Sequence, residues 1–177
     1  MICDINRYSI TQVLLFPVSG YANRLQAMAS SAILAETIGA RLRICWEPQA
    51  VVPGSARDVF SDDICRDTFL TIDEVRAEFG ISPSDLPRYL TVDPEGHLII
   101  LAGHDLGEQV FMPALQSALD NSVTERTLVI IAGGKFFLPQ PEQRNEEAEI
   151  LFRRKRQKFY RSLTFADVIE DLSLIHI

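Results

Sequence analysis

The residues best suited to bind a ligand follow the first apolar run of the sequence, in the segment GYANR from Gly20 to Arg24. An arginine can make two parallel hydrogen bonds to a phosphate or carboxylate group, and an asparagine side chain can both donate and accept hydrogen bonds. The preceding run, TQVLLFPV, predicts a buried strand, and helical spacing begins at Asn23. A helix N-terminus at the end of a parallel strand favours anions, so the sequence predicts an anion-binding corner here.

Each residue of this corner also has a structural explanation. Gly20 could permit a tight exit from the strand. Asn23 could simply be the N-cap of the helix, with a capping-box glutamine three residues later. Arg24 could lie over a neighbouring loop or pair with Asp62 or Asp63, although a cation in the first turn of a helix opposes the helix dipole.

Four more side chains are candidates for substrate binding: Tyr21, Trp46, His104 and Asp105. Tyr21 belongs to the corner, and Trp46 ends a predicted strand, where it could stack on a sugar or be buried against the helix. His104 and Asp105 follow the apolar run LIIL. They could act as a general base or bind an acceptor hydroxyl, or form a polar turn with an aspartate N-cap. No residue type or spacing identifies a catalytic group.

The elements that would position these residues alternate between strand and helix. Strands are predicted at residues 11–17, 41–46, 98–102 and 127–132, and helices at 23–38 and 145–163. The first strand, helix and strand have the size of one βαβ unit, whose right-handed crossover makes its two strands parallel. The predicted fold class is therefore α/β, a Rossmann-like open, largely parallel sheet with flanking helices. On the first helix we expect inward-facing side chains at Leu25, Met28, Ala32 and Ala35.

Local signals add detail to this prediction. Gly39 and Gly80 are placed to end helices, and Thr71 with Glu74 predicts a capping box at the start of the second of these. The segment EPQAVVPGSARD predicts a loop, and DPEG at 93–96 predicts the turn of a hairpin. A further helix is predicted within residues 108–119.

Composition limits the class of protein. A chain of 177 residues corresponds to one domain, or to a domain and a fragment, on the prior of roughly 100–200 residues per domain. The net charge of −7 argues against nucleic acid as a partner, and no apolar run is long enough for a membrane span. No signal peptide pattern is evident, and the three cysteines form no CxxC pair. We therefore expect a cytoplasmic protein with reduced thiols and no metal site.

The segment SGYANRLQAMASSAILAETIGARLRICWEP resembles the start of the fucosyltransferase-like glycosyltransferases, which include the nodulation-type α-1,6-fucosyltransferases and the protein O-fucosyltransferases. The matching positions are Gly20, Asn23, Arg24, Leu25, Gly39, Leu42 and Trp46. The resemblance implies the N-terminal, acceptor-side domain of a two-domain GT-B glycosyltransferase. The donor of this enzyme would be a nucleotide diphosphate sugar such as GDP-fucose, and its acceptor would be a hydroxyl group of a glycan or of another molecule. The enzyme would need no cofactor. Asn23 and Arg24 would then reach the pyrophosphate or the reacting sugar.

The resemblance also implies that part of the enzyme is absent from this chain. In such proteins a segment like FYRSL comes shortly before a His-x-Arg motif of the second domain, and no such motif follows here. The last six residues, LSLIHI, can be encoded by a transposon end used in preparing sequencing libraries. We therefore expect residues 1–171 to be an N-terminal domain and 172–177 to be translated adapter, with a natural apolar tail as the alternative. The chain alone is expected to lack transferase activity.

Two other classes stay open: a conventional Rossmann-like nucleotide-binding protein and a non-catalytic binding domain. The glycine-poor corner disfavours the first, for which Glu47 is a weak candidate to bind a ribose. Arg24 separates the enzyme from the binding domain. A binding domain has no need for a free Arg24 that faces a cleft, whereas an Arg24 buried in a structural ion pair would deprive the enzyme interpretation of its best residue.

Overall fold

The computed structural model describes residues 9–86, 91–92, 97–102, 125–134 and 146–166. The strands are β1 (Ile10–Pro17), β2 (Arg41–Ile44), β3 (Thr91–Val92), β4 (Leu98–Ala102) and β5 (Arg126–Ala132). The helices are α1 (Tyr21–Ile38), α2 (Ala56–Val59), α3 (Asp62–Thr68), α4 (Ile72–Phe79) and α5 (Glu146–Ser162), with a 3₁₀ turn at Pro83–Asp85.

The five strands form one sheet in the order β2-β1-β5-β4-β3. Strands β2, β1, β5 and β4 run parallel to one another, and the two-residue β3, at the edge beside β4, runs antiparallel to them. This confirms the predicted α/β fold with a largely parallel sheet and flanking helices. The antiparallel pairing of β3 with β4 also confirms the two strands of the predicted hairpin, whose turn residues 93–96 lie outside the described residues.

Strand β1 lies inside the sheet and is covered on both faces, which explains its continuous apolar sequence. Val13 and Leu15 point into the core cluster that contains Met28 of α1. Leu14 and Phe16 point to the opposite face, into the cluster that contains Val75 of α4. The carboxyl end of β1 is therefore held from both sides, and it carries the corner residues that follow.

Helix α1 packs between the sheet and α5, so most of its circumference is buried. Met28 and Ala35 are buried as predicted, at 1% and 3% exposure. Leu25 is only half-buried, although it packs against the core, and the prediction for Ala32 is wrong because this residue is half-buried outside the core. Leu25, Ala32 and the exposed Glu36 are seven and four residues apart, so they lie on one side of α1, which remains partly open.

The predicted helix ends at Gly39 and Gly80 are confirmed, since both glycines adopt the left-handed conformation, with φ of 70° and 68°. The capping box at the start of α4 is confirmed as well. The Thr71 hydroxyl accepts a hydrogen bond from the Glu74 amide, and the Glu74 carboxylate accepts one from the Thr71 amide. The predicted loop at 47–58 is wrong at its end, because α2 begins at Ala56 with a second capping box of Ser55 and Asp58.

Several predicted features lie outside the described residues: His104, Asp105, the helix within 108–119 and the segment 172–177. Among the helices of the described ranges, none is both long enough and apolar enough to cross a membrane.

Candidate functional site

The predicted corner lies where the carboxyl ends of β1 and β5 meet. The Val18 amide donates a hydrogen bond to the Ala132 carbonyl at 2.9 Å, and the Gly134 amide donates one to the Asn23 carbonyl at 3.0 Å. The exit from β1 and the first turn of α1 are thus both attached to the end of β5. This is the edge of a parallel sheet at which open α/β folds bind ligands.

The backbone of the corner differs from the expectation for Gly20. Gly20 has an extended conformation, with φ of −69° and ψ of 167°, and a Cβ built on it would meet nothing within 4 Å. The left-handed residue is instead Ser19, with φ of 71°. A non-glycine residue in this conformation is strained and persists only where its surroundings hold it, and such residues cluster at functional sites.

Gly133 is one of the groups that surround Ser19. A Cβ on Gly133 would lie 2.9 Å from the Ser19 hydroxyl oxygen and 3.0 Å from the Val18 carbonyl oxygen. A larger residue at this position would therefore push against the corner. The segment AGG, whose alanine ends β5, was the signal in the sequence that could have pointed to this contact.

Helix α1 presents an uncapped N-terminus at the edge of the sheet. It begins at Tyr21 with Gly20 as N-cap, and no side chain caps it within the described part of the chain. The prediction that Asn23 is the N-cap is therefore wrong; Asn23 is the third residue of the helix, and its side chain is exposed. Tyr21 is 43% exposed beside it. The positive end of the helix dipole and two polar side chains are thus accessible at the corner.

Arg24 is buried beneath this surface, with 0% of its area exposed. Its Nε donates a hydrogen bond to the Ser19 carbonyl at 2.9 Å, and its Nη1 donates one to the Glu47 carbonyl at 2.8 Å. The guanidinium carbon lies 4.7 Å from the centroid of the Trp46 ring, in a cation–π arrangement. The structure thus places Arg24 under the corner, not free at its surface, so the expectation that Arg24 itself reaches the pyrophosphate or the sugar is not met.

The charge of Arg24 has no direct counter-ion in the described ranges. No carboxylate there lies within salt-bridge distance, and Asp63 instead lies 3.7 Å from Arg66. The Nη2 group is buried and has no hydrogen-bond partner among the residues described. Burial lowers the pKa of Arg24 by removing water from the cation, an effect that Tyr21 and Glu47 partly oppose.

Trp46 is also buried, at 5% exposure. Its Nε1 donates a hydrogen bond to the Gly54 carbonyl at 3.0 Å, and its ring packs edge-to-face on Phe60 with centroids 5.4 Å apart. Of the two explanations that the sequence allowed, burial is the one observed, and the ring is not available to stack on a sugar. Tyr21 is the accessible aromatic residue nearby, with its ring centroid 6.0 Å from that of Trp46.

Gly54 is a further residue of the site that the sequence did not indicate. A Cβ on Gly54 would lie 3.2 Å from the Tyr21 hydroxyl, so the glycine leaves room for the tyrosine ring to lie over this loop. Within the described ranges no group of three or more His, Cys, Asp or Glu residues is placed to hold a metal ion. The chemistry available at the corner is thus hydrogen bonding and electrostatic attraction toward an anion.

Comparisons with known proteins were made at the level of sequence and of structure. No family model, curated protein or solved structure matches this chain. The resemblance to fucosyltransferase-like enzymes therefore depends on the residues of the corner and of the βαβ unit alone.

Proposed function

We propose that this chain is the N-terminal, acceptor-side domain of a two-domain GT-B glycosyltransferase that resembles fucosyltransferases. The enzyme would transfer a sugar from a nucleotide diphosphate donor, such as GDP-fucose, to a hydroxyl group of a glycan or another acceptor. The observation that carries the proposal is the uncapped N-terminus of α1 at the carboxyl edge of the parallel sheet, with Asn23 and Tyr21 exposed beside it. The second domain, which would bind the nucleotide, would be its partner.

The chemistry of transfer explains what this corner would contribute. The bond between the sugar and the diphosphate breaks as negative charge develops on the leaving group, and preorganised donors stabilise that charge. The first-turn amides of α1 and the Asn23 side chain are such donors. Arg24 would act on the charge from beneath, without contact, through a medium that screens charge less than water does. No residue is assigned as the catalytic base.

The proposed location is the cytoplasm. Cys45 and Cys65 are both buried free thiols. Burial raises the pKa of both thiols, that of Cys45 to about 12. Thiols that remain unpaired in this way are typical of a reducing compartment.

A non-catalytic binding domain is the second candidate, and the burial of Arg24 favours it. A cation held by two backbone carbonyls and a tryptophan ring can stabilise loops without taking part in a reaction. The same first-turn amides would then bind an anionic ligand that is not transformed.

The test begins with the gene. The reading frame downstream of residue 171 is sequenced at its source, and the complete product is assayed for transfer of labelled fucose from GDP-fucose to glycan acceptors. Asn23→Ala is expected to lower kcat by about 10²–10³-fold, as for loss of one preorganised donor, with an unchanged melting temperature because Asn23 caps nothing. The matched control is Gln157→Ala, an exposed amide on α5, which should leave kcat unchanged. A stop codon directly after residue 171, or a complete protein that consumes no sugar nucleotide, would contradict the proposal.

A further inference from the structure

Within the described residues, the segments that follow β1, β2 and β5 at the carboxyl edge of the sheet are joined to one another through a small set of contacts. Arg24 connects the exit of β1, at the Ser19 carbonyl, to the loop after β2, at the Glu47 carbonyl. Gly134 connects the end of β5 to the first turn of α1 through its hydrogen bond to the Asn23 carbonyl. Each contact joins a different pair of segments, so together they fix the corner from two sides.

The left-handed conformation of Ser19 shows why such contacts are needed. A serine in this conformation would relax to an extended one if nothing held it. Nε of Arg24 holds the Ser19 carbonyl, and Gly133 lies against the Ser19 side chain. Because Ser19 comes two residues before α1, a relaxed Ser19 would turn the first-turn amides and Asn23 away from their present positions.

We propose that Arg24 is a positioning residue, a clamp that holds Ser19 in its left-handed conformation and so orients the donors of the corner without touching the ligand. This clamp deepens the proposed function by giving Arg24 a role in it, and only its expected effect on turnover rests on that function. The planar guanidinium suits the task because its Nε and Nη1 reach carbonyls on two separate loops at once. Its burial, which leaves no surface for a phosphate, is then a requirement of the role.

The clamp is tested by amide hydrogen exchange in the chain of 177 residues, without any substrate. The reporters are the amides of Val18 and Gly134, which are bonded across the corner, and the reference is the Leu70 amide, bonded to the Ile44 carbonyl. In Arg24→Met, exchange at both reporters is expected to accelerate about tenfold or more, since two hydrogen bonds to the loops are lost, while Leu70 stays unchanged. Arg24→Lys, which keeps the charge but loses the fork, should accelerate them in the same direction.

Two further variants make the result specific. Arg43→Met is the matched control, since the Arg43 side chain is also largely buried, with 14% exposed. Its Nη2 lies 3.4 Å from the Glu78 carboxylate, away from the corner, so this variant should leave exchange at both reporters unchanged. Adding Ser19→Gly to Arg24→Met should slow the reporters again, because glycine adopts the left-handed conformation without strain. Unchanged reporters in both Arg24 variants, even with a lowered melting temperature, would overturn the proposal and leave Arg24 as packing only.

Turnover separates the clamp from the proposed function. In an active complete enzyme, Arg24→Lys is expected to lower kcat with little change in the donor KM, and Ser19→Gly should restore part of the loss. An Arg24→Met enzyme with normal kcat and fast-exchanging reporters would overturn the positioning role. If no transfer is detected even in the wild-type protein, the proposed function fails, and the exchange experiment still decides whether the clamp exists.

Discussion

Replacement of Gly133 by alanine tests whether the ends of β1 and β5 are as closely packed as the structure indicates. The added methyl would lie 2.9 Å from the Ser19 hydroxyl and 3.0 Å from the Val18 carbonyl. The hydroxyl can rotate away, but the carbonyl belongs to backbone that is bonded to Ala132 and cannot move freely. Overpacking of this kind costs typically about 1–3 kcal/mol. For a domain of this size that corresponds to a melting temperature lowered by roughly 2–12 °C.

The measurement is urea and thermal unfolding followed by the fluorescence of Trp46, the single tryptophan of the chain. The matched control is Gly20→Ala, because a Cβ there meets nothing within 4 Å and the φ of −69° suits alanine. We expect this control to change the free energy of unfolding by less than about 1 kcal/mol, because alanine is a poorer N-cap than glycine but loses less backbone entropy on folding. A Gly20→Ala variant less stable than Gly133→Ala would refute the reasoning, because the strained point of the corner would then be Gly20.

Three further predictions concern the rest of the domain. Met28→Asp buries an unpaired charge in the core, which costs several kcal/mol, so circular dichroism should show an unfolded chain. The control variant Ala22→Asp, at an exposed position in the first turn of α1, should fold normally. Since burial raises the pKa of Cys45 to about 12, its thiol should stay unlabelled by a maleimide at neutral pH until urea is added, as mass spectrometry of peptides would show. Hydrogen bonds from the Thr71 amide and hydroxyl lower the pKa of Glu74 in the folded chain. The stability that this shift contributes is therefore present above the pKa of the unfolded chain and is lost as the pH falls through the folded-state pKa. Thr71→Ala should lower the free energy of unfolding by about 0.5–2 kcal/mol at neutral pH and make it less dependent on pH in acid. Urea titrations at several pH values would measure this, and an acid dependence equal to that of the wild type would contradict it.

Local sequence signals predicted the elements of the fold because their causes are local. The apolar run of β1 needs only its own residues to favour a strand, and Gly39 and Gly80 end their helices through their own backbone freedom. The βαβ unit then sets the parallel pairing of β1 with β2 through the handedness of its crossover. The Ser55 and Asp58 capping box was an equally local signal for α2, but the prolines and the glycine before it favoured a loop.

The geometry of the corner could not be predicted in this way because it depends on contacts between distant segments. Arg24 is buried because the loop after β2 supplies both the Glu47 carbonyl and the Trp46 ring. Ser19, rather than Gly20, is left-handed in surroundings that include Gly133, at the far end of β5. The preference of N-caps for asparagine pointed to Asn23, whereas the helix starts earlier, at Tyr21, two residues after the left-handed Ser19.

The order of the strands has a consequence for synthesis on the ribosome. Strand β1 is paired on one side by β2, which follows it closely, and on the other side by β5, which begins only at Arg126. Until Arg126 and the residues after it have left the exit tunnel, one edge of β1 has no native partner, and contacts this distant in sequence form slowly. A nascent chain stalled before Arg126 should therefore bind chaperones that recognise extended apolar segments, and release from them should coincide with the emergence of β5.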